Sequence, residues 1–357
     1  MPVANRESPL VPNFEIIING SPLPVEAKLH VQRLTVDHDV NLPGMFTLEL
    51  TGSDSQEEET IWIDDEELFA IGNVVEVKLG YANDLETLII GEITGIEPEF
   101  AFDRLPSLTV RGYNRRHRLQ RGRKTKTFVQ QKDSDIATQI AQEAGLTAQV
   151  EDSQVVHDYI LQRSQTDIEF LQERAKRINY EVVVEDKTLF FRPVGNAESE
   201  ILTLSFEDDL MEFYPRLSSM GQVSELTVRG WNPKEKQEIV GQARVGDEVS
   251  TMGGQNSGAA IVEDAFGTAV AKVSDRPVLT QAEADQFAKA RFNNLALTLV
   301  TGEGVCWGRT DLRPGKVIKI DGVGRRFSGQ YYVTATVNRY QGQSGYRTHF
   351  TVRRNSV

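Results

Sequence analysis

Apolar and polar positions alternate over short stretches through most of the chain. The segments Phe14–Ile18, Lys28–Val36, Phe46–Leu50, Val74–Leu79 and Leu108–Arg111 repeat with period two, as half-buried strands do. Turn pairs such as Asn19-Gly20 and Pro43-Gly44 separate them. Residues 14–125 are therefore expected to form a first β-barrel of short strands, and the proline-rich residues 1–13 a mobile arm. Over 126–200 the period lengthens. Ile136, Ala137, Ile140, Ala141 and Ala144 make a helical stripe, capped by Asp133 or Ser134 and ended by Gly145. A strand is expected around Gln154–Leu161, then a second helix starting near Ser164 or Thr166. Thr166 and Glu169 have capping-box spacing, and Ile168, Leu171, Ala175 and Ile178 supply the apolar face. A hairpin over Tyr180–Val184 and Thr188–Arg192 completes a small α/β insert domain. Residues 201–357 return to β structure as a second barrel, interrupted at about 242–300. The interruption holds the Gly-rich stretch Gln242–Gly267 and a helix started by Thr280 and Glu283, burying Ala284, Phe287, Ala288 and either Phe292 or Leu295. The expected fold class is mainly β with an α+β insert: two related small β-barrels plus a small α/β domain.

The relation between the barrels rests on repeats. Leu108-Thr109-Val110-Arg111-Gly112-Tyr113-Asn114 returns as Leu226-Thr227-Val228-Arg229-Gly230-Trp231-Asn232, and more loosely as Phe350-Thr351-Val352-Arg353-Arg354-Asn355. Residues 71–80 resemble 314–322, each a Gly followed by alternation. Glu92–Glu97 and Tyr332–Val337 follow them in the same order, each leading to a copy of the first motif. Such self-similarity indicates a unit folded more than once. It predicts that Val110 and Val352 lie on equivalent strands.

Composition narrows the function classes. The hydrophobic fraction is 39%, enough for a core, with no apolar run of about 18 residues to span a membrane. The N-terminus lacks an apolar signal region. The single cysteine, Cys306, excludes an intrachain disulfide and a multi-cysteine metal site. Synthesis in the cytoplasm without a signal peptide is expected. A net charge of -13 disfavours nonspecific binding to nucleic acid or an anionic membrane. The charge is clustered. Residues 54–67 hold Asp54, Glu57, Glu58, Glu59, Asp64, Asp65, Glu66 and Glu67, and residues 111–126 hold Arg111, Arg115, Arg116, Arg118, Arg121, Arg123, Lys124 and Lys126. Two solvated loops, a nucleic-acid patch and pairing between subunits all fit such runs. On the third reading Arg115, Arg116, Arg118, Asp64, Asp65, Glu66 and Glu67 are the subunit-interface candidates.

No catalytic constellation emerges. Gly342-Gln343-Ser344-Gly345 is one residue short of a nucleophile elbow and falls in an expected hairpin turn. The glycines of 302–308 miss the dinucleotide spacing. Asp37-His38-Asp39-Val40-Asn41 starts like a calcium loop but has Leu42 and Leu48 where Gly and Glu are needed. The five histidines are scattered. No catalytic, cofactor-binding or metal residue is assigned, and no cofactor is expected.

Ser164-Gln165-Thr166-Asp167-Ile168-Glu169-Phe170-Leu171, followed by Arg174–Tyr180 and Leu189-Phe190-Phe191, resembles a signature of the late control protein D family. These are baseplate hub proteins of contractile-tailed phages, and the same module begins the VgrG-type spike proteins. The C-terminal stretch is similar to the family's tail at Leu312–Ile320, Phe327–Val333 and Tyr346–Phe350. Asn179 stands where the family often has Gly. The resemblance spans about residues 30–355. It implies a non-enzymatic homotrimer adapting a hexameric inner tube to a trimeric spike, with other baseplate proteins as neighbours, no nucleic acid and no direct membrane insertion, in an assembled contractile particle or virion. The alternative is a wall-degrading hydrolase of a puncturing device. Fused relatives continue into a spike; whether one follows Val357 is open from the sequence.

Overall fold

The computed structural model describes residues 11–52, 65–274 and 277–357. β1 (Pro12–Ile18) opens the chain. The expected arm therefore overlaps the sheet, because Pro12 and Asn13 pair with Tyr81 and Gly80. A proline suits the first residue of a strand. After β2 (Ser21–Pro22) and the short helix α1 (Val25–Leu29) come β3 (Val31–Asp39), β4 (Met45–Thr51), β5 (Val74–Tyr81), β6 (Asp84–Ala101) and β7 (Arg104–Tyr113). Their inward residues, among them Phe14, Leu34, Phe46, Leu48, Val77, Leu79 and Val110, share one buried cluster. The sheet therefore curls about its own core.

A 3-10 helix (Arg115–Gln120) leads to the insert. It comprises β8 (Lys124–Lys132), α2 (Asp133–Glu143), β9 (Thr147–Val150), β10 (Val156–Gln165), α3 (Asp167–Arg177), β11 (Tyr180–Glu185) and β12 (Thr188–Pro193). Neither Asp133 nor Ser134 caps α2. Both are buried inside its first turn, and the Asp135 carboxylate accepts the Lys132 N–H at 3.1 Å instead. The box at α3 forms as expected: Thr166 Oγ1 accepts the Glu169 N–H at 3.2 Å and Glu169 Oε2 accepts the Thr166 N–H at 3.0 Å. Ile168, Leu171 and Ala175 are buried, and Phe170 stacks on Phe128 at 5.5 Å.

β13 (Glu200–Ser205) and β14 (Leu210–Leu217) then join the first sheet, and the chain leaves it again. β15 (Glu225–Asn232), β16 (Gln237–Arg244), α4 (Gly258–Phe266), β17 (Val270–Val273) and α5 (Gln281–Ala296) form a separate three-stranded sheet with two helices. The motif copy at 226–232 thus belongs to neither large sheet half. Part of the expected loop is strand or helix: β16 covers Gln242–Arg244, and Ser257 Oγ caps α4 by accepting the Ala260 N–H. Ala284, Ala288 and Phe292 of α5 are buried as expected, and Phe287 is partly so. β18 (Val300–Trp307), β19 (Val317–Asp321), β20 (Gly329–Gln341) and β21 (Gly345–Arg354) complete the large sheet. The glycines at 302 and 304 lie within β18 beneath the rings of Phe213 and Phe350.

The duplication is plain in the pairing. β3, β4, β7, β6 and β5 pair in that spatial order, all antiparallel; β14, β18, β21, β20 and β19 do the same. The irregularities coincide. A bulge separates Val31 from Arg33 and Leu210 from Glu212, and another separates Ile93 from Gly95 and Val333 from Ala335. Gly72 and Gly315, both at positive φ (96° and 82°), donate N–H to Ile93 and Val333 at 2.9 Å, and those residues donate back to Asn73 and Lys316. Val110 and Val352 lie on the equivalent strands β7 and β21. By the bulges, however, Val110 corresponds to Phe350, so the motif copies are two residues out of step. The halves differ at one end, where β1 meets β5 antiparallel but β13 meets β19 parallel. The two halves are joined: β3 pairs with β20 from Arg33↔Gln341 to Asp39↔Ala335, fusing all into a 13-stranded sheet.

The motif glycine Gly112 lies against its neighbours. A Cβ there would come 2.3 Å from the Phe46 ring and 2.5 Å from the Glu92 carbonyl oxygen. Gly112→Val is expected to destabilise the chain by about 2–3 kcal/mol through overpacking, measured by urea denaturation against the wild type.

Candidate functional site

The basic run is built into the junction between the first sheet half and the insert. Asn114 caps the 3-10 helix, its Oδ1 accepting the Arg116 N–H at 3.3 Å while its Nδ2 donates to the Val184 carbonyl at 2.9 Å. Arg116 is 2% exposed. Its guanidinium donates to the carbonyls of Asn41 at 2.6 Å, Leu42 at 3.1 Å and Val40 at 3.4 Å, holding the β3–β4 turn. Burial pulls Arg116 down to about 10, so it stays charged at neutral pH. Asp39 Oδ1 accepts the N–H groups of Asn41 and Leu42, so the segment that began like a calcium loop is a self-bonded turn.

Arg115, His117 and Arg118 converge on Glu92 at the middle of β6. Glu92 is buried, with His117 Nε2 and Arg118 Nε each 2.9 Å from Oε2 and Arg115 Nε 3.5 Å from Oε1. Arg115 also pairs with Asp186 of the β11–β12 turn. Burial alone would raise the Glu92 carboxyl. Hydrogen bonds from Arg118 and His117, and their charges, outweigh it and hold the group below the usual carboxylate range.

The seven interface candidates therefore stand in different places. Arg115 and Arg116 are engaged inside the chain, and the side chain of Arg118 is half exposed. Glu66 and Glu67 are exposed, and Asp65 caps its own turn by accepting the Leu68 N–H at 2.7 Å. Asp64, with Asp54 and Glu57–Glu59, lies outside the described residues. Among the described residues, Arg115 pairs with Glu92 and Asp186, and Arg118 with Glu92. Glu92 escaped the sequence reading. Its signal is a lone acid among Ile89, Ile90 and Ile93.

Three more polar clamps brace the insert, the first within it and the other two to its neighbours. Asp133 receives Arg174 at 2.5 and 3.1 Å, and Arg177 bonds Glu283 of α5 at 2.8 Å and the Pro277 carbonyl at 2.9 Å. The Tyr332 hydroxyl donates to Glu181 at 2.7 Å, and burial beside Glu181 pushes the phenol well above its usual value. Between these clamps lies an open cleft of about 570 Å³ lined by Asn41, Gln172, Arg177, Arg291, Phe287 and Arg353 among others. Among the described residues, no group of three His, Cys, Asp or Glu side chains is placed to hold a metal ion. Cys306 is buried, which pushes its thiol up to about 12 and leaves it unreactive.

What remains open to a partner is backbone. Among the described residues, β14 pairs along one side only, with β18, and the second half of β6 only with β7. Ile96, Phe100, Phe102 and Tyr214 are exposed on or beside these strands.

A sheet built twice over with an α/β insert is the fold of phage tail proteins. The prophage MuSo2 43 kDa tail protein from Shewanella oneidensis superposes with a TM-score of 0.72 at 13% identity, covering 96% of this chain and 98% of that one. The tail protein from Neisseria meningitidis MC58 gives 0.68 at 12% identity, with 96% of each chain covered. The E. coli c3393 protein, a component of the type VI secretion system, gives 0.61 at 13% identity, covering 96% of this chain and 77% of that one. The chain belongs to the family described as the Alg8 N-terminal domain, whose model matches residues 8–341. No curated protein matches it by sequence.

Glu92 sets a pH dependence. Its folded value is depressed, so its contribution to stability is complete above the ordinary carboxylate range and is lost as pH falls through the folded value. Glu92→Gln is expected to cost about 1–3 kcal/mol at neutral pH and to flatten the acid limb of a stability–pH curve measured by thermal unfolding. An unchanged acid limb would show that Glu92 is not the group titrating there.

Proposed function

We propose that the chain is a structural hub in the tail or baseplate of a contractile particle. In this reading it is a homotrimer that seats a hexameric inner tube on one face and a trimeric spike, as a separate protein or domain, on the other. The single observation that carries the reading is the duplicated sheet, with its shared strand order and matching bulges. Six equivalent tube subunits cannot contact three single-sheet subunits equivalently. Three chains with two similar sheet halves each offer six similar surfaces.

The tail proteins that share the fold support this role, as does the type VI secretion component among them. Activity in this reading is mechanical and no catalysis is required. Of the charged candidates, Arg118, Asp65, Glu66 and Glu67 present surface to a neighbour, so pairing between copies is proposed for these four. Exposed pairs contribute about 0–1 kcal/mol each, so they would tune rather than create the interface.

Native mass measurement tests the reading directly. The expected species is a trimer that takes up one hexameric tube ring from its own gene cluster and one spike trimer. A chain that stays monomeric with both partners present would refute it.

A further inference from the structure

We infer that the second half of β6 pairs, antiparallel, with β14 of a neighbouring copy of the chain, with Pro98 opposite Pro215. The inference deepens the trimer reading above and rests on it. The argument begins with the joint inside the chain. β20 uses its second half to hold β3 of the other sheet half. By the matching bulges, β6 is the equivalent of β20 and β14 the equivalent of β3. Among the described residues both of these strands keep an unpaired side. Repeating the internal joint between copies uses both.

The register follows without adjustment. Carrying each pair of the β20–β3 ladder to its equivalents sets Ile96 opposite Leu217, Glu97 opposite Arg216, Pro98 opposite Pro215, Glu99 opposite Tyr214 and Phe100 opposite Phe213. Three independent features agree with it. One face of the new ladder is wholly apolar: Ile96 with Leu217, proline with proline, Phe100 with Phe213. The other face sets Glu97 against Arg216, opposite charges at a cross-strand position. Phe100 and Tyr214, 66% and 67% exposed in the single chain, would be covered.

The prolines are the sharpest feature. The Ser218 N–H bonds the Leu299 carbonyl, and the Gly52 and Asn114 N–H groups bond Pro106 and Gly44. Alternation from these anchors turns Pro98 of β6 and Pro215 of β14 toward the free side. A proline withholds one N–H, so the residue opposite it keeps its own N–H bonded to the proline carbonyl and only its carbonyl is left without a donor. Set opposite each other, the two prolines confine their missing donors to one rung and leave only carbonyls short of a donor, the better tolerated defect. Each edge is thus blunted against other strands and matched to the other.

Glu97 and Arg216 would form a non-hydrogen-bonded pair, close enough for a disulfide. The experiment combines Glu97→Cys with Arg216→Cys in one full-length chain under mild oxidation, with Cys306 buried and inert. Most of the protein is expected as reducible covalent multimers of up to three chains. Neither single variant should form them, and Glu99→Cys with Arg216→Cys, a diagonal pair, should cross-link several-fold less. As a second measurement, Glu97→Arg or Arg216→Glu alone should weaken the trimer several-fold, and both together should restore it. A native trimer without the cross-link and without this rescue overturns the strand pairing and leaves the trimer standing. A monomer overturns both.

Discussion

The ladder between β3 and β20 is the constraint on which the rest depends. It runs from Arg33↔Gln341 to Asp39↔Ala335 and turns two curled half-sheets into one continuous sheet. Each half has its own buried cluster, one around Leu34, Phe46 and Val77 and one around Ile318, Tyr331 and Val333. Hydrophobic burial alone would leave those clusters free to rotate against each other. A backbone ladder is directional, so it sets their relative orientation in a way that apolar contact does not.

Polar clamps then fix the insert to this frame. Arg116 is held by three carbonyls of the β3–β4 turn, Glu92 gathers Arg115, His117 and Arg118, and Tyr332 reaches Glu181 across from the other sheet half. Buried charges of this kind add little net stability against an apolar equivalent, but removing one partner is costly. They therefore specify where the insert sits.

The elements themselves were readable from local chemistry. The capping box of Thr166 and Glu169, the stripe of α3 and the Gly72 and Gly315 strand starts all formed as their residues dictate. Residue pairing between distant segments was not readable. Leu226–Asn232 carries nearly the same motif as Leu108–Asn114, yet it joins a separate sheet with β16 and β17. Alternation makes a strand, but any half-buried strand satisfies the same alternation, so the pattern does not name the partner. The charge runs do not name their partners either. A run shows that charges are adjacent in sequence, while Glu92, a single acid within a strand, was the partner that folding brought to Arg115 and Arg118.

By itself the sequence determined that the chain is mostly short strands, that a helical insert divides it, and that one strand unit occurs twice, because periodicity, caps and repeats are local properties of the chain. Only the tertiary structure decided that the two units share bulges at corresponding places, that β3 and β20 fuse them, and that among the described residues β6 and β14 keep a free side. Hydrogen-bond registers between segments hundreds of residues apart are set by the packing of whole sheets, and no local pattern records them.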